Sequence, residues 1–196
     1  MGSQKRHLVI ELAVIFESSV STVLCILLDI DIANSKAFGN SSQSLSFANR
    51  LTILADLNVI NKKDKIKFEY FSAIRNQFAH NRDAVDFTSC FSFIGMENNL
   101  SKLYKIEGAA EKEVICEKLF FELYADLLEI YNKAVASCMQ KSTNKGKDDA
   151  KKYLLDNLIE TLKIYAEDND VFYDQMAEIF KITADKTQEQ IDRLSE

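Results

Sequence analysis

The stretch Asn61–His80, NKKDKIKFEYFSAIRNQFAH, decides the fold. It holds no glycine or proline, and its large apolar residues recur at helical spacing. Phe71, Ile74 and Phe78 stand at i, i+3 and i+7, which share one face at 3.6 residues per turn. With Phe71 set at 0°, Ile74 falls at about 300°, Phe78 at about 340° and Arg75 at about 40°. Asn76 and His80 fall at about 140° and about 180°, opposite the apolar stripe. Ile66, Tyr70 and Ala73 lie at about 200–260°, so that opposite side is not cleanly polar. Asn61, with Asp64 three residues on, reads as an N-cap opening a helix that reaches Ala79 or His80.

The rest of the chain is helical by the same logic. Its 196 residues include no proline, no tryptophan and 5 glycines. At average usage such a chain would carry roughly 10 prolines and 14 glycines. Hairpin turns and phosphate-cradling loops are built from those residues, so β-sandwiches and glycine-fingerprint nucleotide folds are disfavoured. A 47% hydrophobic content disfavours disorder. The expected fold class is all-α, an antiparallel helical bundle with a C-terminal helical extension.

Working outward, a first helix is expected from Gln4 to Ile30, apolar around most of its circumference and therefore surrounded by other helices. Glu11 and Glu17 interrupt its apolar run, whose longest unbroken piece is the six residues Val23–Leu28. That is shorter than the roughly 7–15 residues of a secretory core or the about 20 of a spanning helix. No small-residue cleavage site follows, so a core helix of a cytoplasmic protein is expected, with no membrane partner. Glu17, Ser18, Ser19 and Ser21 read as a solvent-facing stripe, although the carboxylate of Glu17 could also approach His80.

Residues Ala33–Ser44 read as a loop and Leu45 to about Leu57 as a second helix. From Asn81 to Ala110 the pattern weakens to a long loop with a short helix or strand. Phe68, Phe71, Phe78, Phe87, Phe91 and Phe93 are expected in the core. A long helix returns at Glu111–Met139. The domain reading is 1–140 for the main helical domain, 141–147 for a linker and 148–196 for an acidic helical extension. Within that extension, Leu155, Leu158, Leu162 and Tyr165 mark one helix, and Phe172, Met176, Ile179 and Phe180 another.

Charge is uneven. Residues 1–147 carry 18 basic and 17 acidic side chains, whereas residues 148–196 carry 6 and 13. Asn61–Arg82 alone holds six basic residues against Asp64 and Glu69. The four cysteines, Cys25, Cys90, Cys116 and Cys138, form no close pair, and there are only two histidines. A zinc site of Cys/His type is therefore not expected, and the cysteines are expected to be buried and reduced. No P-loop, nucleophile elbow, HExxH or EF-hand pattern is present, and no cofactor is expected.

The words with chemical content are Arg75-Asn76-Gln77-Phe78-Ala79-His80. An arginine followed by a polar residue and then a histidine at a helix end resembles the signature of the HEPN superfamily. Leu45-Ser46-Phe47-Ala48-Asn49-Arg50-Leu51, the turn Leu57-Asn58-Val59-Ile60 and Asp86-Phe87 resemble its mannitol-operon-repressor-like (MltR) branch. The resemblance covers about residues 43–95. It implies a helical domain that dimerises, with two motifs facing across a cleft and cleaving RNA without a metal.

The residues suit that chemistry. RNA supplies its own nucleophile, the 2′-OH, beside each phosphodiester. A histidine with an unperturbed pKa near about 6.5 serves as acid or base at neutral pH. An arginine stays charged and forks onto phosphate oxygens, while Asn76 orients the histidine or holds a phosphate. The expected catalytic residues are thus Arg75, Asn76 and His80. Lys62, Lys63, Lys65, Lys67 and Arg82 are the expected RNA-binding residues. A structural account stands beside this one: Arg75 and Asn76 would tie down carbonyls, and His80 would cap its own helix. The chain would then be a non-catalytic regulator or interaction module, as in MltR-like proteins, or would bind an antitoxin or regulatory protein partner.

Overall fold

The computed structural model describes residues 2–38, 44–106 and 111–141. Among them the chain forms six α-helices, a 3-10 turn at Ile32–Asn34 and no strand. The helices are α1 (Gly2–Leu28), α2 (Phe47–Asp56), α3 (Lys62–His80), α4 (Phe87–Ile94), α5 (Glu97–Leu103) and α6 (Lys112–Lys141). Apart from Lys141 at the end of α6, the expected linker 141–147 and the extension 148–196 lie outside the described residues.

Local chemistry sets the ends of these helices. Asn61 opens α3 with a full capping box: its Oδ1 accepts from the amides of Lys63 and Asp64, and the Asp64 carboxylate accepts from the Asn61 amide. At the end of α2, Asn58 adopts a left-handed φ of 55°. The Val59 amide then bonds back to the Leu54 carbonyl at 2.9 Å and the Asn58 amide to Ala55, a Schellman closure that buries Ile60. Asp29, with φ 53°, closes α1 in the same way two residues before the expected end, through Ile30 to the Cys25 carbonyl.

The segment after α3 is more ordered than its sequence pattern suggests. Residues expected as a long loop with a short helix or strand contain two helices, α4 and α5. Asp86 and Ser89 form a capping box at the start of α4, and Gly95 ends it at φ 63°, a conformation strained for any residue with a Cβ. Phe87, Cys90 and Phe91 then share the buried face at helical spacing. Phe93, expected in the core, is instead 53% exposed. It stands about 200° around the helix from Phe91, on the face turned to solvent.

Two compact units divide the chain: Met1–Ser18 with Phe47–Leu127, and Ser19–Ser46 with Leu128–Glu196. The first holds an aromatic core in which α1, α3, α4 and α6 meet. Phe16 packs 5.5 Å from Phe68 and 5.9 Å from Phe71. Phe71 stacks on Phe120 at 6.0 Å, and Phe87 lies 5.0 Å from Phe120 and 5.3 Å from Phe78. Burying each such ring contributes about 1.5–3 kcal/mol, and a well-set aromatic pair about 0.5–1.5 kcal/mol more. Cys90 and Cys116 are free thiols buried in this unit. Burial pushes their pKa values up to about 12 and about 11, so they are inert as nucleophiles.

In the second unit Val20, Val23, Leu24 and Cys25 are buried, together with Ser21 and Thr22. Ser21 thus leaves the expected solvent stripe, because this part of α1 is covered around nearly its whole circumference. Gln4–Leu28 is long and apolar enough to cross a membrane by length and composition. Its side chains Leu8, Val9, Leu12, Ala13 and Phe16 are packed within the first unit.

Candidate active-site face on the third helix

The apolar stripe of α3 lies where its spacing places it: Phe68, Phe71, Ile74 and Phe78 are all buried. That fixes the rotation of the helix, and Asn76 and His80 are consequently both exposed. They are i, i+4 neighbours, about 6 Å apart along the axis and on one face. His80 occupies the last turn, where an imidazolium also complements the helix dipole. Among the described residues its ring takes part in no hydrogen bond or ion pair.

Arg75 sits at the edge between core and solvent. Its Nη1 donates to Asn76 Oδ1 at 3.0 Å. Its Nη2 stands 3.7 Å from Glu17 Oε1 of α1, an ion pair whose side chains are 29% and 28% exposed. That separation is too long for a hydrogen bond. The Arg75 Nε is buried and has no hydrogen-bond partner among the described residues. The structure therefore joins Arg75 to Asn76 and sets Asn76 beside His80, while Arg75 itself points about 140° around the helix from His80. Glu17 pairs with Arg75.

The expected RNA-binding cations separate into two groups. Lys67 is paired with Asp126 of α6 at 2.7 Å, and that carboxylate also accepts from the Tyr104 hydroxyl at 2.8 Å. Lys65 donates to Thr52 Oγ1 of α2 at 3.0 Å. Lys62, Lys63 and Arg82 are exposed. The first two lie at the start of the 19-residue helix and Arg82 lies beyond its end, about 28 Å away.

A second polar cluster was missed by sequence reasoning. The Glu113 carboxylate of α6 accepts from the Phe87 and Thr88 amides at 3.0 and 2.7 Å and from Thr88 Oγ1 at 2.7 Å. With Asp86 taking the Ser89 amide, the first three amides of α4 are all satisfied by carboxylates. Lys5 of α1 bridges Glu113 and Glu117 at 2.8 and 2.9 Å and lies 5.5 Å above the Phe87 ring. Burial alone would lower the Lys5 pKa, but the bonds to the two glutamates outweigh it and hold the ammonium above the usual lysine value. Burial likewise would raise Glu113, and the donors from Lys5, Thr88 and Phe87 outweigh it and hold the carboxyl below its usual value.

Arg6 completes this region. Its Nη2 lies 3.0 Å from the Asn81 carbonyl and 3.3 Å from those of Arg82 and Ala84. It holds the chain immediately after His80. His7, by contrast, is a surface residue, 75% exposed and 3.9 Å from Glu11.

Among the described residues no group of His, Cys, Asp and Glu could hold a metal ion. No family model, curated protein or solved structure matches this chain.

Proposed function

We propose that this is a metal-independent ribonuclease, acting as a cytoplasmic homodimer of HEPN type, with Arg75, Asn76 and His80 at its centre. The observation that carries the reading is the exposed His80 one turn after an exposed Asn76 that is itself tied to Arg75. In the reaction the 2′-oxygen forms a bond to phosphorus and the P–O5′ bond breaks. One proton leaves the 2′-OH and one is delivered to the 5′-oxygen. His80 moves a proton, and the His80 of a second copy moves the other. Arg75 stabilises the charge that builds on the phosphoryl oxygens. Lys62, Lys63 and Arg82 are the cations left exposed to meet the backbone.

Incubating the protein with a short single-stranded RNA in EDTA should give fragments ending in cyclic phosphate. His80→Ala should reduce cleavage at least about a hundredfold while leaving the melting temperature in place. Cleavage that survives in the variant overturns the assignment.

A second reading is favoured by the engagement of Lys65 and Lys67 with Thr52 and Asp126, which takes two cations out of the expected RNA track. On that reading the face is a docking surface of a non-catalytic regulator. Absence of cleavage by the wild-type protein, together with specific capture of a regulatory partner lost in His80→Ala, would favour it.

A further inference from the structure

Arg82, the exposed cation that follows His80, has its direction set from outside its own segment. Peptide groups are planar, so the path of the chain through a residue is fixed by the two planes that flank its Cα. For Arg82 those planes carry the carbonyls of Asn81 and of Arg82 itself. Both accept from Nη2 of Arg6, at 3.0 and 3.3 Å, and the Ala84 carbonyl meets the same nitrogen at 3.3 Å. One guanidinium nitrogen of α1 thus holds both planes, and with them the Cα–Cβ direction of Arg82. Local bonds do less. The Asp83 amide donates to Asn81 Oδ1 at 3.0 Å, which shapes the turn without tying it to another helix. Lys5, the preceding residue of α1, bridges to Glu113, whose carboxylate takes the Phe87 and Thr88 amides. Two successive residues of α1 thereby clasp both ends of the link between α3 and α4.

We infer that Arg6 is a positioning residue, which directs Arg82 toward a nucleic acid strand lying along the His80 end of α3. Direction matters here because Asp83, next in the chain, is also exposed. A link free to turn about residues 82 and 83 presents a carboxylate to the strand as readily as a guanidinium, and a carboxylate repels phosphate. Arg6 removes that freedom through backbone carbonyls alone. Because the link is ordered before the strand arrives, binding does not have to order it. This inference rests on the proposed reading for its ligand, but the coupling of Arg6 to Arg82 is measured by binding, separately from cleavage.

The test measures the affinity of a fluorescent, non-cleavable 2′-O-methyl oligonucleotide for the full chain at low ionic strength. Arg82→Ala should weaken binding about three- to tenfold, the loss expected for one phosphate contact. In an Arg6→Met background the same change should cost less than about twofold, because Arg82 is no longer directed. Arg6→Lys keeps the charge on a shorter head that cannot span the three carbonyls; it should behave like Arg6→Met and serves if that variant melts early. Lys62→Ala, at the other end of α3, should cost the same in every background. If Arg6 contributed only its charge, the Arg82→Ala loss would be equal with and without it, and that additivity overturns the inference. So does an Arg82→Ala change without effect in wild type. A Lys62→Ala effect that vanishes together with that of Arg82→Ala marks general loss of structure and also overturns it. Coupling between Arg6 and Arg82 in a protein that cleaves no RNA upholds the inference and removes the ribonuclease reading. Additive losses in a protein that cleaves RNA remove the inference alone, and a wild type that binds no strand removes both.

Discussion

Two polar regions of the first unit make opposite use of similar residues. Around Glu113, a carboxylate, two helix amides, a hydroxyl and the Lys5 ammonium meet at 2.7–3.0 Å. Around Arg75, among the described residues, the single short bond is to Asn76, the carboxylate partner stands at 3.7 Å, and one buried N–H has no acceptor. Asn76 and His80 beside it are left to solvent. A polar group that the fold depends on is surrounded by partners, because a buried unpaired charge is costly. On α3, His80 joins no other group by a hydrogen bond or ion pair among the described residues, and Asn76 bonds only to the neighbouring Arg75. The contrast separates residues that maintain the unit from residues available for something else.

The sharpest way to break this contrast is to remove Glu113. Glu113→Ala uncaps α4 and leaves Lys5 with Glu117 alone, and should destabilise the protein by about 2–3 kcal/mol in denaturant unfolding. The pH dependence carries a sign. Because the folded pKa of Glu113 lies below its ordinary value of 4.5, its contribution is fully present above that pH and is lost as pH falls through the folded value. Wild type should therefore lose stability on acidification below about 4.5, and Glu113→Gln should flatten that limb. A variant with an unchanged acid limb would remove Glu113 from this role.

Arg6→Met should cost less, about 1–2 kcal/mol, since it releases hydrogen bonds to three carbonyls at a partly exposed site. Hydrogen exchange should then rise in residues 81–86 before it rises in α6. The smallest effects are expected on the other side of the comparison. Asn76→Ala and His80→Ala should each change unfolding free energy by no more than about 0.5 kcal/mol. A loss of more than about 1.5 kcal/mol in either would make the face structural and weaken both its proposed roles.

Much of the scaffold was legible before any coordinates. The Phe71, Ile74, Phe78 spacing set the rotation of α3, and the Asn61–Asp64 pair located its start, because both signals are local and act within one turn. The exposure of Asn76 and His80 followed from that rotation alone. α4 was less legible, since Asp86–Phe93 alternates weakly and its Asp86/Ser89 cap was masked by that alternation. The i, i+3, i+4 spacing of Phe87, Cys90 and Phe91 was the available signal.

Partners distant in sequence were not legible at all. Lys5 finds Glu113 across 108 positions, Arg6 finds the Asn81 carbonyl across 75, and Glu17 finds Arg75 only because α1 runs alongside α3. The proline-free composition and apolar periodicity determine that the described residues are helical and which side of α3 faces outward, since both depend on backbone geometry within a few residues. Which carboxylate meets which cation depends on how separate helices pack. A one-dimensional pattern carries no distance between them, and only the tertiary structure decided it.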